Sequence, residues 1–188
     1  MKKIKITISL VLLISFFFLT GCSLFKSDVM EDIDVYTTTY PINYLTKYLY
    51  GNHSTIYSIY PSGVNFKDYE LSDKKINEFA KSDLFIFNGQ DKDRDYAVSM
   101  INKNNNLKII DTSLSITYDY SVTELWINPN NYLMMAQNIK NGLIYYLDKS
   151  VSGYEEIHNK LTNYTDLLKK IYDESQVYSK NNIFKGIN

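Results

Sequence analysis

Few side chains in this sequence can coordinate a metal ion or act as a nucleophile with a basic partner. The chain has one cysteine and two histidines, Cys22, His53 and His158, which lie far apart. The sequence pairs no serine or cysteine with a histidine, and it has no glycine-rich loop of the kind that cradles phosphate. We therefore predict that the protein is not an enzyme and that both histidines are solvated surface residues.

Three aspartates at alternate positions form another group that could hold a cation. Asp91, Asp93 and Asp95 have the spacing that opens a calcium-binding loop. The glycine and the closing glutamate of an EF-hand loop are missing, however. We therefore predict a solvated charged loop over residues 91–95.

Cys22 belongs to a pattern with a defined chemical role. Three lysines in the first five residues precede an apolar stretch over residues 6–18, and Leu-Thr-Gly-Cys follows at residues 19–22. The apolar stretch is shorter than the roughly 20 residues that span a bilayer, and its length suits the core of a signal peptide. The four-residue pattern matches the bacterial lipobox, which predicts cleavage before Cys22 and lipidation of its thiol. The mature protein would then be lipid-anchored at the extracytoplasmic face of the cell membrane; the alternative is an uncleaved anchor with an incidental cysteine.

The fold that must position these groups is predicted to be α/β with a parallel sheet. Short apolar or β-branched runs alternate with segments whose apolar residues recur every three or four positions. Predicted strands cover residues 35–39, 55–59, 84–87 and 107–110, and predicted helices cover residues 41–50, 73–81, 96–103 and 129–147. Because crossovers between parallel strands are right-handed, the loops after the strands collect at one edge, where such sheets bind ligands. The longest of these loops spans residues 60–72, and we expect function to reside there.

That loop carries five residues in a recognisable order, namely Pro61, Gly63, Asp68, Tyr69 and Glu70. Together with the helix and the "SDLFIFNG" strand that follow, it resembles the first lobe of the solute-binding lipoproteins of zinc and manganese ABC importers. The resemblance implies a partner ABC permease and zinc or manganese as the transported ligand. In that family a histidine of this loop binds the metal, and Lys67 stands at its position here.

A second loop, over residues 114–128, resembles the other metal-binding loop of the family. The matching residues are Trp126, Asn128 and Pro129, the last two as N-cap and first residue of a helix. The second histidine ligand of the family corresponds to Glu124, and the Asp-Pro that precedes it in the family is missing. Glu124 can coordinate zinc or manganese through oxygen, whereas a protonated Lys67 offers no lone pair.

The two replacements carry opposite charges at positions that would share one cation in the family. We expect the Lys67 ammonium to occupy the place of the metal ion and to lie within about 4 Å of the Glu124 carboxylate. The alternative is that the two changes are unrelated and lie on an exposed rim, where such a pair contributes ~0–1 kcal/mol.

The sequence divides into five predicted segments. These are a lipoprotein signal peptide (1–21), a polar tether (22–34), an α/β N-terminal lobe (35–150), a long linking helix (151–178) and a tail (179–188). In the family, a helix like the fourth segment leads to a second lobe that supplies another histidine and a carboxylate to the metal. The sequence predicts that this second lobe is absent.

Composition narrows the range of functions. The chain has 188 residues, 45% of them hydrophobic, and a formal net charge of −1, which indicates a globular protein and argues against nucleic-acid binding. The predicted function is a shortened solute-binding protein of a metal importer with impaired metal binding. The first alternative is a surface lipoprotein that has kept the fold for adhesion or partner binding. The second is an incomplete gene product with no separate function.

Overall fold

The chain alternates strands and helices through most of its length. The computed structural model describes residues 32–117 and 124–146, together with scattered helical positions between 155 and 173. The strands are β1 (Asp34–Thr37), β2 (Thr55–Ser58), β3 (Leu84–Phe87) and β4 (Lys108–Asp111). The α-helices of the first two ranges are α1 (Tyr40–Tyr50), α2 (Asp73–Phe79), α3 (Asp91–Lys103) and α4 (Pro129–Tyr146), and a 3₁₀ helix (Leu125–Ile127) precedes α4.

The strands form one parallel sheet in the order β2-β1-β3-β4. Val35 of β1 lies opposite Ile56 of β2 on one side and Leu84 of β3 on the other. All four residues of β3 are buried, as expected for a central strand covered by helices on both faces. The predicted α/β fold with a parallel sheet is therefore confirmed.

The two faces of β3 divide the core into two apolar clusters. Leu84 and Ile86 point into one cluster, which contains the buried stripes of α1 and α4. Phe85 and Phe87 point into the other, which contains the apolar residues of α2 and α3. Each fully buried side chain of this size contributes about 1.5–3 kcal/mol through removal of apolar surface from water. Burial on both faces thus holds the sheet between two layers of helices.

Helix α4 lies close against β4. A Cβ atom on Gly142 would come within 2.5 Å of the Ile110 side chain, so only glycine permits this approach. The Tyr146 hydroxyl donates to the Ile109 carbonyl at 3.1 Å and accepts from the Ile109 N–H at 3.3 Å. These two bonds satisfy backbone groups of a strand at the edge of the sheet, where unpaired groups would otherwise be open.

The start of α3 corrects one prediction. The helix begins at Asp91 rather than at Tyr96, so the predicted charged loop over residues 91–95 is wrong. Asp93 lies in the first turn, where the helix dipole favours a carboxylate. It is only 4% exposed and accepts a hydrogen bond from the Tyr60 hydroxyl at 2.5 Å. A polar contact inside the fold, rather than an apolar stripe, therefore supports the beginning of this helix.

The remaining predicted boundaries hold within two residues. Ser72 is the N-cap of α2, and its hydroxyl accepts from the Lys75 N–H at 3.4 Å. In α4, Met135 is fully buried, whereas Leu133 is only half-buried.

Several predictions fall on residues that the structure does not describe. These are the signal peptide, Cys22, the tail over residues 179–188, and most of the tether and of the long helix over residues 151–178. In the part of the chain that is described, no helix combines the length and the apolar character needed to cross a bilayer.

Candidate functional site

The carboxyl ends of the strands meet at one edge of the sheet, and the loops that follow them form the candidate site. At this edge, backbone bonds continue the sheet past the strand ends: Thr38 N–H donates to the Ile86 carbonyl at 3.1 Å, and Thr112 N–H donates to the Phe87 carbonyl at 3.0 Å. From β1 the chain crosses outward to β2, and from β3 it crosses in the opposite direction to β4. A crevice at such a reversal of strand order is where open α/β sheets bind ligands.

The loop between β2 and α2 is held at both ends by helix α3. At its start, Tyr60 donates its hydroxyl proton to Asp93. At its end, the Leu71 N–H donates to the Tyr96 hydroxyl at 3.0 Å. Burial, and next the nearby negative charge of Asp93, raise the pKa of the Tyr60 phenol, so Tyr60 stays a neutral donor at physiological pH. The loop therefore has a fixed base.

The tip of the same loop is shaped by a turn centred on Asn65. Its carbonyl accepts from the N–H groups of Asp68 and Tyr69, both at 3.1 Å, and its side chain accepts from the Lys67 N–H at 3.1 Å. Gly63, just before the turn, has a φ of +79°, a backbone conformation that residues other than glycine adopt only at an energetic cost. This local geometry, which follows from the Gly and Asn positions, presents Lys67 at the tip of the loop.

The predicted ion pair between the two loops is confirmed. Lys67 Nζ lies 3.4 Å from Glu124 Oε2, and the two side chains are 49% and 38% exposed. The Lys67 ammonium also lies 5.9 Å from the centre of the Phe66 ring. With this much solvent around it, the pair contributes about 0–1 kcal/mol to folding, so stability alone does not account for its position.

Lys92 on α3, which the sequence analysis did not single out, contacts the loop between β2 and α2 near Lys67. Its ammonium lies 3.3 Å from Glu70 Oε1 and donates to the Lys67 carbonyl at 3.0 Å. These contacts exist because α3 begins early and brings its first turn under the loop. The predicted helix began at Tyr96 and did not include Lys92, so these contacts could not be predicted from it.

Glu124 and Trp126 are positioned by the entry to α4. Asn128 is its N-cap, as predicted, and its side-chain oxygen accepts from the Asn130 N–H at 2.9 Å. The 3₁₀ turn before this cap places the Trp126 ring 5.7 Å from the Phe66 ring, edge to face. An aromatic contact and an ion pair thus join the two loops that the sequence analysis assigned to the site.

The described side chains at this edge are a poor donor set for a divalent cation. Among the described residues, no group of three or more His, Cys, Asp and Glu side chains is placed to hold a metal ion. Lys67 has no lone pair while it is protonated, and Glu124 offers one carboxylate. A metal ion at the position of this ion pair would meet the Glu124 carboxylate as a ligand and the Lys67 ammonium as a repelling charge.

The histidines lie away from this edge. His53 precedes β2, at the amino ends of the strands, where its carbonyl accepts from the Asp32 N–H at 2.9 Å. Its ring is half-buried and stacks 5.7 Å from Tyr50, which corrects the prediction of a solvated residue. His158 is half-buried as well and lies in a helical position, where its carbonyl accepts from the Thr162 hydroxyl at 2.9 Å.

Comparison with known proteins places this arrangement in a family. The family model described as "zinc-uptake complex component A periplasmic" (ZnuA) matches residues 35–181. A metal ABC transporter substrate-binding lipoprotein of Lactococcus lactis is 27% identical over an alignment of 159 positions, and the alignment covers 76% of this chain and 51% of that protein.

Solved structures show the same fold. The metal-dependent lipoprotein YcdH from Bacillus subtilis superposes with a TM-score of 0.69 at 19% identity, covering 79% of this chain and 56% of that one. The Zn(II)-bound ZnuA-like domain of AdcA from Streptococcus pneumoniae gives 0.64 at 16% identity, covering 74% of this chain and 52% of that one. This chain thus spans about half the length of these relatives. Since the family model covers most of its residues, the chain belongs to the ZnuA-like family of metal ABC transporter substrate-binding proteins.

Proposed function

We propose that this protein is the lipid-anchored solute-binding component of an ABC importer for zinc or manganese. It acts by binding rather than by catalysis, and it presents its cargo to an ABC permease at the extracytoplasmic face of the membrane. The observation that carries the proposal is the match of the family model to residues 35–181, on a lobe whose loops meet at the ligand-binding edge of the sheet.

Within this function, Glu124 is the carboxylate that the described lobe offers to the cargo. Lys67 competes with the metal, because its ammonium lies 3.4 Å from the same carboxylate and must be displaced before a cation can bind there. The affinity for a divalent metal is therefore lower than histidine at position 67 would give. The covalently held ammonium of Lys67 thus takes the place that a metal cation would otherwise occupy beside Glu124.

The lipid anchor rests on the sequence around Cys22 and on the Lactococcus relative, which is itself named a lipoprotein. Acylation of Cys22 would hold the mature chain at the membrane, and the polar tether up to residue 34 would separate the anchor from β1. The long helix proposed over residues 151–178 would lead away from the lobe, and the tail over residues 179–188 would follow it.

Uptake in the cells that make the protein tests the function. Deletion of the encoding gene is expected to lower the accumulation of zinc or manganese under limitation of that metal, and the full-length wild-type gene is expected to restore it. A Cys22→Ser variant is expected to leave the membrane fraction and to restore uptake poorly. Unchanged accumulation of both metals after deletion would overturn the proposal.

Calorimetry with zinc and with manganese tests the role of Lys67. The mature chain, purified from membranes in detergent, is compared with its Lys67→His variant, in which imidazole replaces the ammonium. We expect binding at least about tenfold tighter in the variant, because a repelling charge becomes a ligand. Lys75→His is the matched control, since Lys75 is equally exposed (47%) but pairs with Glu78 on α2. Equal affinity of the wild type and Lys67→His would contradict the role given to Lys67.

A further inference from the structure

The tip of the loop between β2 and α2 is a turn with its own internal hydrogen bonds. The Asn65 carbonyl and side chain accept from the backbone N–H groups of residues 67–69. The Asn65 amide also donates to the Asp68 carboxylate at 2.6 Å. These bonds fix the shape of the turn, but they lie within the loop and do not determine how far the turn lies from Glu124. The distance between Lys67 and Glu124 therefore depends on contacts between the turn and the rest of the lobe.

Lys92 makes such a contact from the first turn of α3. Its ammonium donates to the Lys67 carbonyl at 3.0 Å, so it binds the backbone of the residue that pairs with Glu124. The same ammonium lies 3.3 Å from Glu70 Oε1, three residues further along the loop. One cation of the helix thus contacts the loop at its tip and just after it.

Helix α3 is suited to act as a fixed support, because it is tied to both ends of this loop. Asp93 accepts from the Tyr60 hydroxyl at the start of the loop, and the Tyr96 hydroxyl accepts from the Leu71 N–H at its end. Asp93 and Tyr96 are only 4% and 8% exposed, so water does not replace these partners as it does at the surface. The position of Lys92 next to Asp93 is therefore set by buried contacts.

Lys92 is unfavourably placed for the helix that carries it. It is the second residue of α3, and a positive charge in the first turn opposes the partial positive charge of the helix dipole. A residue that violates a local rule is expected where a contact elsewhere compensates for it. The contacts of Lys92 with the Lys67 carbonyl and with Glu70 supply that compensation.

We propose that Lys92 is a positioning residue of the cation site, which fixes the backbone of residue 67 and so sets the distance from its side chain to Glu124. This role rests on the proposed function, in which Lys67 competes with the metal for Glu124. In the wild type, Lys92 holds the competitor in place and thereby lowers the affinity for a divalent cation. With histidine at position 67, the same bond would hold a ligand in place and raise that affinity. The bond serves both cases because it is made to a backbone carbonyl, which every residue provides.

Replacement of Lys92 in two backgrounds tests this reversal of sign. Lys92→Met is made in the wild type and in Lys67→His, and the affinities of the mature chains for zinc and manganese are measured by calorimetry in detergent. We expect the affinity to rise about threefold in the first background and to fall about threefold in the second. Loss of a positive charge alone would raise the affinity in both backgrounds. A rise in both, or no change in either, would overturn the proposal.

Two further variants separate the contact from the charge. Lys92→Arg keeps the positive charge and the hydrogen-bond donors, and we expect it to preserve the affinity of each background within about twofold. Lys75→Met is the matched control, because Lys75 is an exposed lysine that pairs with Glu78 on α2. It should not reverse the sign of its effect between the backgrounds. The same reversal in Lys75→Met would contradict a specific role for Lys92.

Tryptophan fluorescence tests the position of the tip without any metal. Trp126 is the only tryptophan of the chain, and its ring lies 5.7 Å from the ring of Phe66, the neighbour of Lys67. Release of the tip should expose Trp126, so we expect acrylamide quenching to increase about 1.5-fold in Lys92→Met and to stay unchanged in Lys92→Arg.

The quenching result separates this role from the importer function. Equal quenching of Trp126 in the wild type and Lys92→Met would overturn the role of Lys92 and leave the importer function untouched. Absence of metal binding in both the wild type and Lys67→His would count against the proposed function instead. The quenching measured in the metal-free protein would still decide whether Lys92 positions the tip.

Discussion

The loop between β2 and α2 is held by one contact at its base and one at its tip. Each contact involves a carboxylate, but the first is buried and the second is exposed to solvent. At the base, Tyr60 and Asp93 are 8% and 4% exposed, and their oxygens lie 2.5 Å apart. At the tip, Lys67 and Glu124 are 49% and 38% exposed in their side chains, with 3.4 Å between nitrogen and oxygen. Both contacts join segments distant in sequence, but only the first is shielded from water.

The difference separates what the fold needs from what the site can change. A buried hydrogen bond to a carboxylate costs the full desolvation of that group if its partner is removed. An exposed pair costs little, because water replaces the lost partner. The residues at the tip can therefore change without disturbing the lobe, whereas those at the base cannot vary in this way. A chain can thus keep the fold of its family while exposed residues of its loops differ.

Removal of the base contact should give the largest effect. Tyr60→Phe keeps the ring in its cluster and takes away the hydroxyl that donates to Asp93. We expect the free energy of unfolding to fall by about 1–3 kcal/mol, measured by urea denaturation. Tyr57→Phe is the control, because Tyr57 is 43% exposed. This substitution should change the free energy of unfolding by no more than about 0.5 kcal/mol. Equal losses in the two variants would show that the buried contact at the base does not stabilise the fold more than an exposed hydroxyl does.

Alkaline pH should weaken the same contact in the wild type. Burial, reinforced by Asp93, raises the pKa of the Tyr60 phenol above its ordinary value of 10.0. Above about pH 10 the unfolded chain releases this proton and the native state retains it, so the native state binds more protons and stability falls as pH rises. The deprotonation of this one tyrosine in the unfolded chain lowers the folding equilibrium constant by up to about tenfold per pH unit.

The Tyr60→Phe variant isolates this contribution. Burial also raises the pKa of Tyr36, but Tyr36 is present in both proteins and its effect cancels in the comparison. Urea midpoints measured from about pH 9 to pH 11 should therefore fall more steeply in the wild type than in the variant. Parallel curves would show that Tyr60 is not protected from deprotonation by the fold.

The parts of the fold that could be predicted are those that rest on local apolar patterns. The run Leu84–Phe87 is apolar at every position, and this is sufficient to mark a central parallel strand. The start of α3 was missed because residues 91–95 offer no apolar stripe to count. Its support comes from Tyr60, 33 positions earlier in the chain, and no local pattern shows such a partner.

The candidate site was partly predictable for a similar reason. The resemblance aligned Lys67 and Glu124 with two ligands of one metal ion, and their opposite charges were then enough to predict that they pair. The contacts of Lys92 depend on where α3 begins, so they were missed together with that helix start.

The smallest effect is expected from the tip of the loop, where a double-mutant cycle measures the ion pair. Lys67→Met and Glu124→Gln, made singly and together, should each change the free energy of unfolding by about 0–1 kcal/mol, with a coupling energy below about 1 kcal/mol. Added salt should reduce that coupling further, because water and ions reach both groups. Lys75 and Glu78 on α2, 3.1 Å apart with 47% and 51% of their side chains exposed, provide a matched cycle in which the coupling should be equally small. A coupling above about 2 kcal/mol for Lys67 and Glu124 alone would exceed what solvent-exposed charges supply. The tip would then be part of the structural framework like the base, and its residues could not have been exchanged independently of the fold.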